Sequence, residues 1–413
     1  MSIQTRASTI SLNSTFSAFR HRNYRLWFIG QLISLVGSFM QTTAQGYLIY
    51  SLTGSTAYLG YVGFTAGIPS WMFMLYGGVI ADRIPRRTLL IATQVALMLL
   101  AFVLAGLVIT GVVQPWHILV LSFLVGTANA FDTPARQSFV VELVDREDVT
   151  NAIALNGTMF NTGAILGPAV GGLIYAWVGP AWCFNINAIS FLAVIAALAM
   201  MRISLAPAPP RHASVIHAII EGFNYVRADR LILTLTLSVF VMNVLAFGLI
   251  TLIPAWAVKI LNGDVTTNGV LLSARGIGAV IGGLTIAALS SRGVRGKMWT
   301  ISSFLIPVMI LGFALTRAMP LSLAMMAGMG FCLITMMNNS NAMVQARVPD
   351  ILRGRVMALY SLMFMGGGPI GALAAGLMAE RVGEPMTAII CAALLTIFAL
   401  LIWMLRPEVR RMR

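Results

Sequence analysis

Charge is scarce in this chain and negative charge scarcer still: of 413 residues 10% are charged, with 27 Lys and Arg against 13 Asp and Glu. An ordinary soluble domain carries roughly 25% charged residues, so the composition excludes one. Cysteine occurs three times, at Cys183, Cys332 and Cys391, each inside an apolar run without a partner or ligand spacing, which excludes a disulfide framework and a zinc site. No Gly-rich phosphate loop, His/Cys cluster or nucleophile elbow occurs either. ATP hydrolysis and enzyme chemistry are therefore not expected, and no metal or cofactor is called for. What the chain has is apolar residue: 58% is hydrophobic, enough for roughly 12 membrane spans of about 20 residues.

A net charge of +14 in a soluble protein would point to nucleic acid. Here the basic residues flank apolar stretches instead of forming a face, so no nucleic-acid partner is expected. Residues 26–81, 88–131 and 149–201 are charge-free windows that each hold two spans, divided by turn residues at 51–56, 110–115 and 178–180. Windows 231–258, 265–291, 298–316, 318–346, 356–379 and 385–405 hold one span each, and Arg275 alone interrupts them. Backbone polar groups need internal partners in lipid, so the spans are helices and the fold is an all-α membrane protein. The expected division is a segment 1–25, a six-helix bundle 26–201, a linker 202–230, a second six-helix bundle 231–405 and a tail 406–413. Of the 27 Lys and Arg, all but Lys259, Arg275, Arg317 and Arg381 fall on one side, which places both termini in the cytoplasm of a bacterial inner membrane. In the linker, Ile216, Ile219, Ile220, Phe223 and Val226 form a helical apolar stripe after Pro207, Pro209 and Pro210, as in a helix lying on the membrane surface.

The halves repeat. A shift of 204 positions pairs Ala154 with Ala358, Phe160 with Phe364, Gly163 with Gly367, Gly167 with Gly371, Gly172 with Gly376 and Gly179 with Gly383. Pseudo-symmetric halves of six helices are a usual architecture of secondary transporters, with the substrate site between them.

The loop after the second span carries Gly78, then Asp82, Arg83, Arg86 and Arg87. This resembles the major facilitator superfamily loop pattern of Gly, three residues, Asp-Arg, two residues and two basic residues, departing from it only at Pro85. The pattern suits a cytoplasmic gate: Asp82 against a helix N-terminus with Arg353 and Arg355 at the eleventh span beside it, and Asp132 as carboxylate for the loop arginines. Positive-inside topology alone is the plainer account of those arginines. The equivalent loop of the second half has Ser291 in place of the acid, so an asymmetric latch is expected. Span five carries Gly163, Gly167-Pro168 and Gly171-Gly172, which resembles the superfamily's antiporter pattern. The resemblance implies a close contact between the halves, matched by a small-residue stripe at Ala274, Gly278 and Gly282; close packing of helices is the generic alternative. Gly60, Gly63 and Gly67 in span two and Gly367, Gly371 and Ala375 in span eleven give a second such pair of faces. Phe131 to Gln137 and Glu142 to Ala152 look like the branch that holds siderophore exporters and macrolide-efflux proteins.

In this architecture spans one, four, seven and ten line the cavity, which nominates Gln41, Gln45, Asn129, Asn243, Asn338, Asn339 and Asn341 for substrate contact. Polar bonding between helices is the alternative for each. Coupling candidates are Asp132, Glu142 and Arg275, and His117 less well placed; Arg275 either faces the cavity or snorkels to the surface. Span one lacks the mid-membrane carboxylate that several polyspecific exporters keep. The sequence thus describes a monomeric exporter of a moderately hydrophobic drug, siderophore or metabolite, exchanging it for protons by alternating access. Uptake by uniport or symport, and a non-transporting membrane sensor or scaffold, are the rivals.

Overall fold

With no water to satisfy them in lipid, backbone amides must pair within their own segment, and the chain answers with long helices. The computed structural model describes residues 16–202, 215–289 and 292–412, without the side chains at 74, 75, 77–79, 81, 82 and 215–219. Gly78, the Asp82 side chain, Ile216, Ile219, Ser291 and the three linker prolines therefore lie outside the described residues. The first bundle comprises α1 (Arg22–Thr53), α2 (Thr56–Arg83), α3 (Arg86–Ile109), α4 (Pro115–Glu142), α5 (Val149–Val178) and α6 (Pro180–Met200). The second comprises α7 (Arg230–Ile260), α8 (Val265–Leu289), α9 (Arg295–Leu315), α10 (Met319–Arg347), α11 (Asp350–Val382) and α12 (Glu384–Leu405). No strand occurs among the described residues. Ten of these helices are long and apolar enough to cross a membrane. The other two are α1, where Gln31, Gln41 and Gln45 dilute the apolar run, and α2, which contains side chains outside the described set.

The described ends of the chain, residues 16 and 412, and the α2–α3, α4–α5 and α10–α11 connections gather at one end, called here the basic end; the opposite end is the far end. The repeat is visible in the turns as well as in the helices. Gly179 between α5 and α6 has φ +89° and its partner Gly383 between α11 and α12 has φ +84°, a left-handed geometry that a side chain would strain. One expected straight span is broken: α7 widens into a π turn at Asn243–Phe247 and tightens into a 3₁₀ turn at Gly248–Leu252 before Ile253–Lys259. Pro254 contributes, since it has no N–H to return to residue 250.

At the basic end the segment before α1 is tied to the start of α5. His21 lies 2.8 Å from Asp148, the Ala18 N–H donates to Asn151 at 3.0 Å, and the Tyr24 hydroxyl donates to the Ala152 carbonyl at 2.9 Å. Hydrogen bonds from Ser17 and His21 hold the Asp148 carboxyl below its ordinary range. The linker helix Val215–Ala228 docks on the first turns of α11: Glu221 pairs with Arg355, a Cβ at Gly222 would stand 2.9 Å from the Arg355 carbonyl, and Val226 is buried. Ile220 and Phe223 stay exposed, as an apolar face on a membrane surface requires.

Asp229 fastens α7 to α10. It caps α7 through the Leu231 and Ile232 N–H groups at 2.9 and 3.2 Å and accepts from Arg347 Nε at 2.7 Å. Burial opposes its charge, but these donors outweigh it and hold the carboxyl below the ordinary value of 3.8. The Asp229→Ala variant is expected to lose about 1 kcal/mol of stability, mostly the cap, measured by thermal unfolding in detergent. Because the folded-state pKa is lowered, the ionic part of this contribution is present above the ordinary carboxylate pKa and lost as pH falls through the lowered one. The gap between variant and wild type therefore narrows in acid.

Candidate functional site

Between the bundles lies a cavity of about 320 Å³, within the range of small-molecule sites. It is lined by the amide residues Asn129 and Gln137 on α4 and Asn338 and Asn341 on α10, by Ser70 and Tyr360, whose hydroxyls donate to the Gly126 and Met337 carbonyls at 3.2 and 3.1 Å, and by the apolar Phe364 and Met365. Among the described residues none in the lining is charged. Its α4, α10 and α11 residues lie in the basic-end portions of their helices, so the cavity belongs to that end. The described residues offer donors and acceptors on an apolar wall and no counter-ion for a desolvated charge.

Of the residues nominated from sequence, Asn129, Asn338 and Asn341 reach this cavity. The others turn away from it, Gln41 and Gln45 to a neighbouring helix and Asn243 and Asn339 to their own backbone. Gln41 accepts from Asn187 of α6 at 2.6 Å, and Gln45 donates to Ser122 of α4 at 2.7 Å. Asn243 and Asn339 are buried and donate to carbonyls one turn back, Val239 and Thr335, each at 2.9 Å. Asn338 and Asn339 illustrate the reason: consecutive helical residues point about 100° apart, so one faces the cavity and the other the bundle. Ser70, Gln137 and Tyr360 carry no such signal in the sequence, since α2 and α11 are not among the spans that the architecture assigns to the cavity and Gln137 lies near the end of α4.

Asp132 is 1% exposed and sits one residue before the cavity-lining Thr133. It accepts from Thr93 Oγ1 at 2.8 Å and Gln94 Nε2 at 2.9 Å, both on α3, and stands 3.7 Å from Arg136 one turn along its own helix. The expected pairing of Asp132 with the loop arginines is thus corrected. Arg86 pairs with the exposed Glu142 at the end of α4 instead, and Arg87 donates to the Ala199 carbonyl at 2.9 Å, while Asp132 points sideways into α3. Arg83 is exposed. Arg353 pairs with Asp350 at 2.6 Å, one turn away, and Arg355 with Glu221 of the linker helix, while their expected partner, the Asp82 side chain, lies outside the described residues. Glu142, named above as a coupling candidate, is thus an exposed ion-pair partner of Arg86 at the basic end. Arg275 does not snorkel. Its guanidinium lies 5.7 Å from the Phe247 ring in the broken part of α7, and its Nε is buried without a hydrogen-bond partner.

The far end is shut by two close helix pairs. Where α5 meets α8, a Cβ on Gly172 would stand 2.9 Å from the Val265 carbonyl and one on Gly276 2.9 Å from that of Ala164; Ser273 donates to the Ile165 carbonyl at 2.6 Å. The expected contact is real, but of the nominated pattern only Pro168 and Gly172 make it. Gly163, Gly167 and Gly171 face α1 within their own bundle, against Leu35, Phe39 and Met40, and Gly278 and Gly282 face α10 within theirs. Pro168 is buried between, its carbonyl against Gly269 of α8. Where α2 meets α11, Gly60 and Gly63 receive Ala372 and Gly376, and Gly67 receives Pro369, whereas Gly367 and Gly371 pack on α7. The repeat explains the division. Gly167 and Gly371 hold the first helix of their own half, and Gly172 and Gly376 both meet the opposite half.

A cavity between two pseudo-symmetric six-helix bundles, sealed at one end, defines a transporter of the major facilitator type. Residues 13–412 match the family described as transmembrane secretion effectors, and the chain belongs to that family. It is similar to the multidrug efflux pump Tap of Mycolicibacterium fortuitum, with 27% identity covering 84% of this chain and 87% of the relative. The enterobactin exporter EntS of Shigella boydii is 26% identical over 95% of this chain and 94% of its own. Among solved structures, a bacterial homologue of the human lysosomal transporter Spinster, inward-facing and unoccupied, superposes with TM-score 0.71 over 97% of this chain and 98% of that one. At 14% identity this last likeness concerns the fold alone.

Proposed function

We propose that this transporter exports a moderately hydrophobic, uncharged small molecule from the cytoplasm of a bacterium by alternating access, in exchange for protons. The observation that carries it is the amide-lined cavity of about 320 Å³ at the basic end, with no charged side chain among the described residues of its wall. A permanent cation or anion entering there would leave its charge unpaired, whereas a neutral solute with several acceptors and an apolar body finds partners for both. Arginine enrichment makes the basic end cytoplasmic and both termini with it, so the state described accepts solute from inside. Relatives named as an efflux pump and a siderophore exporter support the outward direction, and a drug, a siderophore or a metabolite fits equally. The chain acts as a monomer in the inner membrane, and Asp132 carries the exchanged proton because among the described residues it is the buried acid adjoining the cavity.

The test is flux from inverted vesicles holding the purified protein, with a neutral amphiphilic probe and its quaternary-ammonium analogue compared under an imposed pH gradient. Gradient-driven movement of the neutral probe alone is the expected result; movement of the cation alone overturns the substrate reading, and no effect of the gradient overturns antiport. Asn129→Ala and Asn338→Ala each remove one hydrogen bond to solute, worth about 1 kcal/mol, so each is expected to raise KM about fivefold with kcat little changed.

A further inference from the structure

Helix α2 starts at the far end with an unusual N-terminus. Its N-cap, Ser55, has the extended backbone of a capping serine, φ −108° and ψ 130°, yet its side chain makes no cap hydrogen bond. The cap comes from the other bundle. Glu380, in the last turn of α11, accepts through one oxygen from the Thr56 N–H at 2.8 Å, the Ala57 N–H at 3.2 Å, the Thr56 hydroxyl at 2.9 Å and the Ser55 hydroxyl at 3.0 Å. These N–H groups are among the four that a helix cannot satisfy internally, and a carboxylate there also meets the positive end of the helix dipole. Since α2 and α11 run antiparallel across the bundle interface, the last turn of one lies beside the first turn of the other.

We propose that Glu380 is a removable cap: it holds the far end shut by capping α2 from the opposite bundle, and Ser55 takes over that cap when the far end opens. This rests on the alternating-access reading above. Opening separates Glu380 from α2, and the N–H groups of α2 would then be exposed. The Ser55 hydroxyl, now spent on Glu380, is released by the same movement and already has the backbone geometry to turn onto them. Exchange of one cap for another keeps the two states close in free energy, as a cycling transporter needs, while each cap contributes to only one of them. Glu380 thus acts on transport by positioning helices and does not touch substrate.

The two residues bond to each other, but the proposal gives their removal opposite effects, which a merely structural contact would not. The full-length protein in lipid nanodiscs, spin-labelled in pairs, reads this out: Val112→Cys with Leu315→Cys reports the far end, and Val141→Cys with Ile351→Cys the basic end. All four positions are exposed and the three native cysteines are buried. Glu380→Ala is expected to raise the ratio of far-end-open to far-end-closed protein about fivefold, the worth of one cap, and Ser55→Ala to lower it by a similar factor. The basic-end pair should move reciprocally. Should Glu380→Ala misfold, Glu380→Gln keeps the shape, loses the charge and shifts the ratio the same way by less. Shifts of the same sign from both residues, or no shift from either, overturn the proposal. Flux measured on the same preparations separates the two readings: opposite shifts without flux in the wild type would remove transport and keep the cap, whereas flux without the shifts would remove the cap.

Discussion

The Asp132→Asn variant is expected to lose at least about tenfold of its pH-gradient-driven efflux while keeping solute exchange between equal pools, a loss that corresponds to roughly 1.4 kcal/mol or more of coupling. The geometry distinguishes coupling from folding. Asparagine has nearly the same shape, and its carbonyl oxygen still accepts from Thr93 and Gln94 as Oδ1 of Asp132 does at 2.8 and 2.9 Å. What it cannot do is bind and release a proton. A buried carboxylate is expensive in a membrane protein and tends to be kept for function. Here it lies one residue from the cavity wall, so that a change in the α3–α4 contact would alter its donors and its access to water together. Arg136, 3.7 Å away on the same helix, is placed to compensate the charge in one state and release it in another. Efflux in vesicles with and without a pH gradient checks this. Efflux that still follows the gradient in the variant would show that the proton travels by another group, and loss of exchange as well would mean that Asp132 shapes the site and does not couple it.

Much of this architecture was legible in the sequence because lipid imposes few solutions. Gaps between charges marked the spans, and the 204-residue repeat marked the two halves, down to the matched positive-φ glycines at 179 and 383. The site was less legible. Knowing that a polar residue lies within a span does not tell which way it points: Gln41 and Asn243 have the same sequence credentials as Asn129, yet Gln41 bonds to Asn187 of another helix and Asn243 to the Val239 carbonyl of its own. The same ambiguity affected the small-residue faces. Gly163, Gly167 and Gly171 do form one smooth stripe, but it fits α1, and the contact with the other half falls to Ala164, Pro168 and Gly172 on the neighbouring face. Charge pairing was hardest to foresee, since Arg355 could be matched to any acid at the basic end until the linker helix brought Glu221 against it. Glu380, whose role depends on a backbone from the opposite half, carried no local sequence signal.

The α5–α8 contact yields the other large effect. A Cβ on Gly172 would lie 2.9 Å from the Val265 carbonyl oxygen and 3.1 Å from Thr266 Cα, and both obstacles are backbone, which cannot swing aside as a side-chain tip can. The Gly172→Val variant must therefore part the two bundles at the far end. Overpacking of this kind costs about 1–3 kcal/mol, which is a shift of about five- to 150-fold away from the far-end-closed state. That cost is borne by one conformation only, because in the far-end-open state the two helices have separated and the valine has room. The protein should accordingly fold, as judged by its elution and thermal unfolding, yet bind solute poorly from the basic end and fail to cycle. Gly278→Val is the informative control. Its Cβ would meet the backbone of Ala327 inside the second bundle, a contact needed whichever end is open, so it should lower stability and expression without favouring either state. Binding of the neutral probe to the purified variants and the far-end label distance together decide the matter: a Gly172→Val protein that is stable, open at the far end and at least about fivefold weaker for solute supports a moving contact between halves. A variant that merely unfolds, like Gly278→Val, would make this contact ordinary static packing.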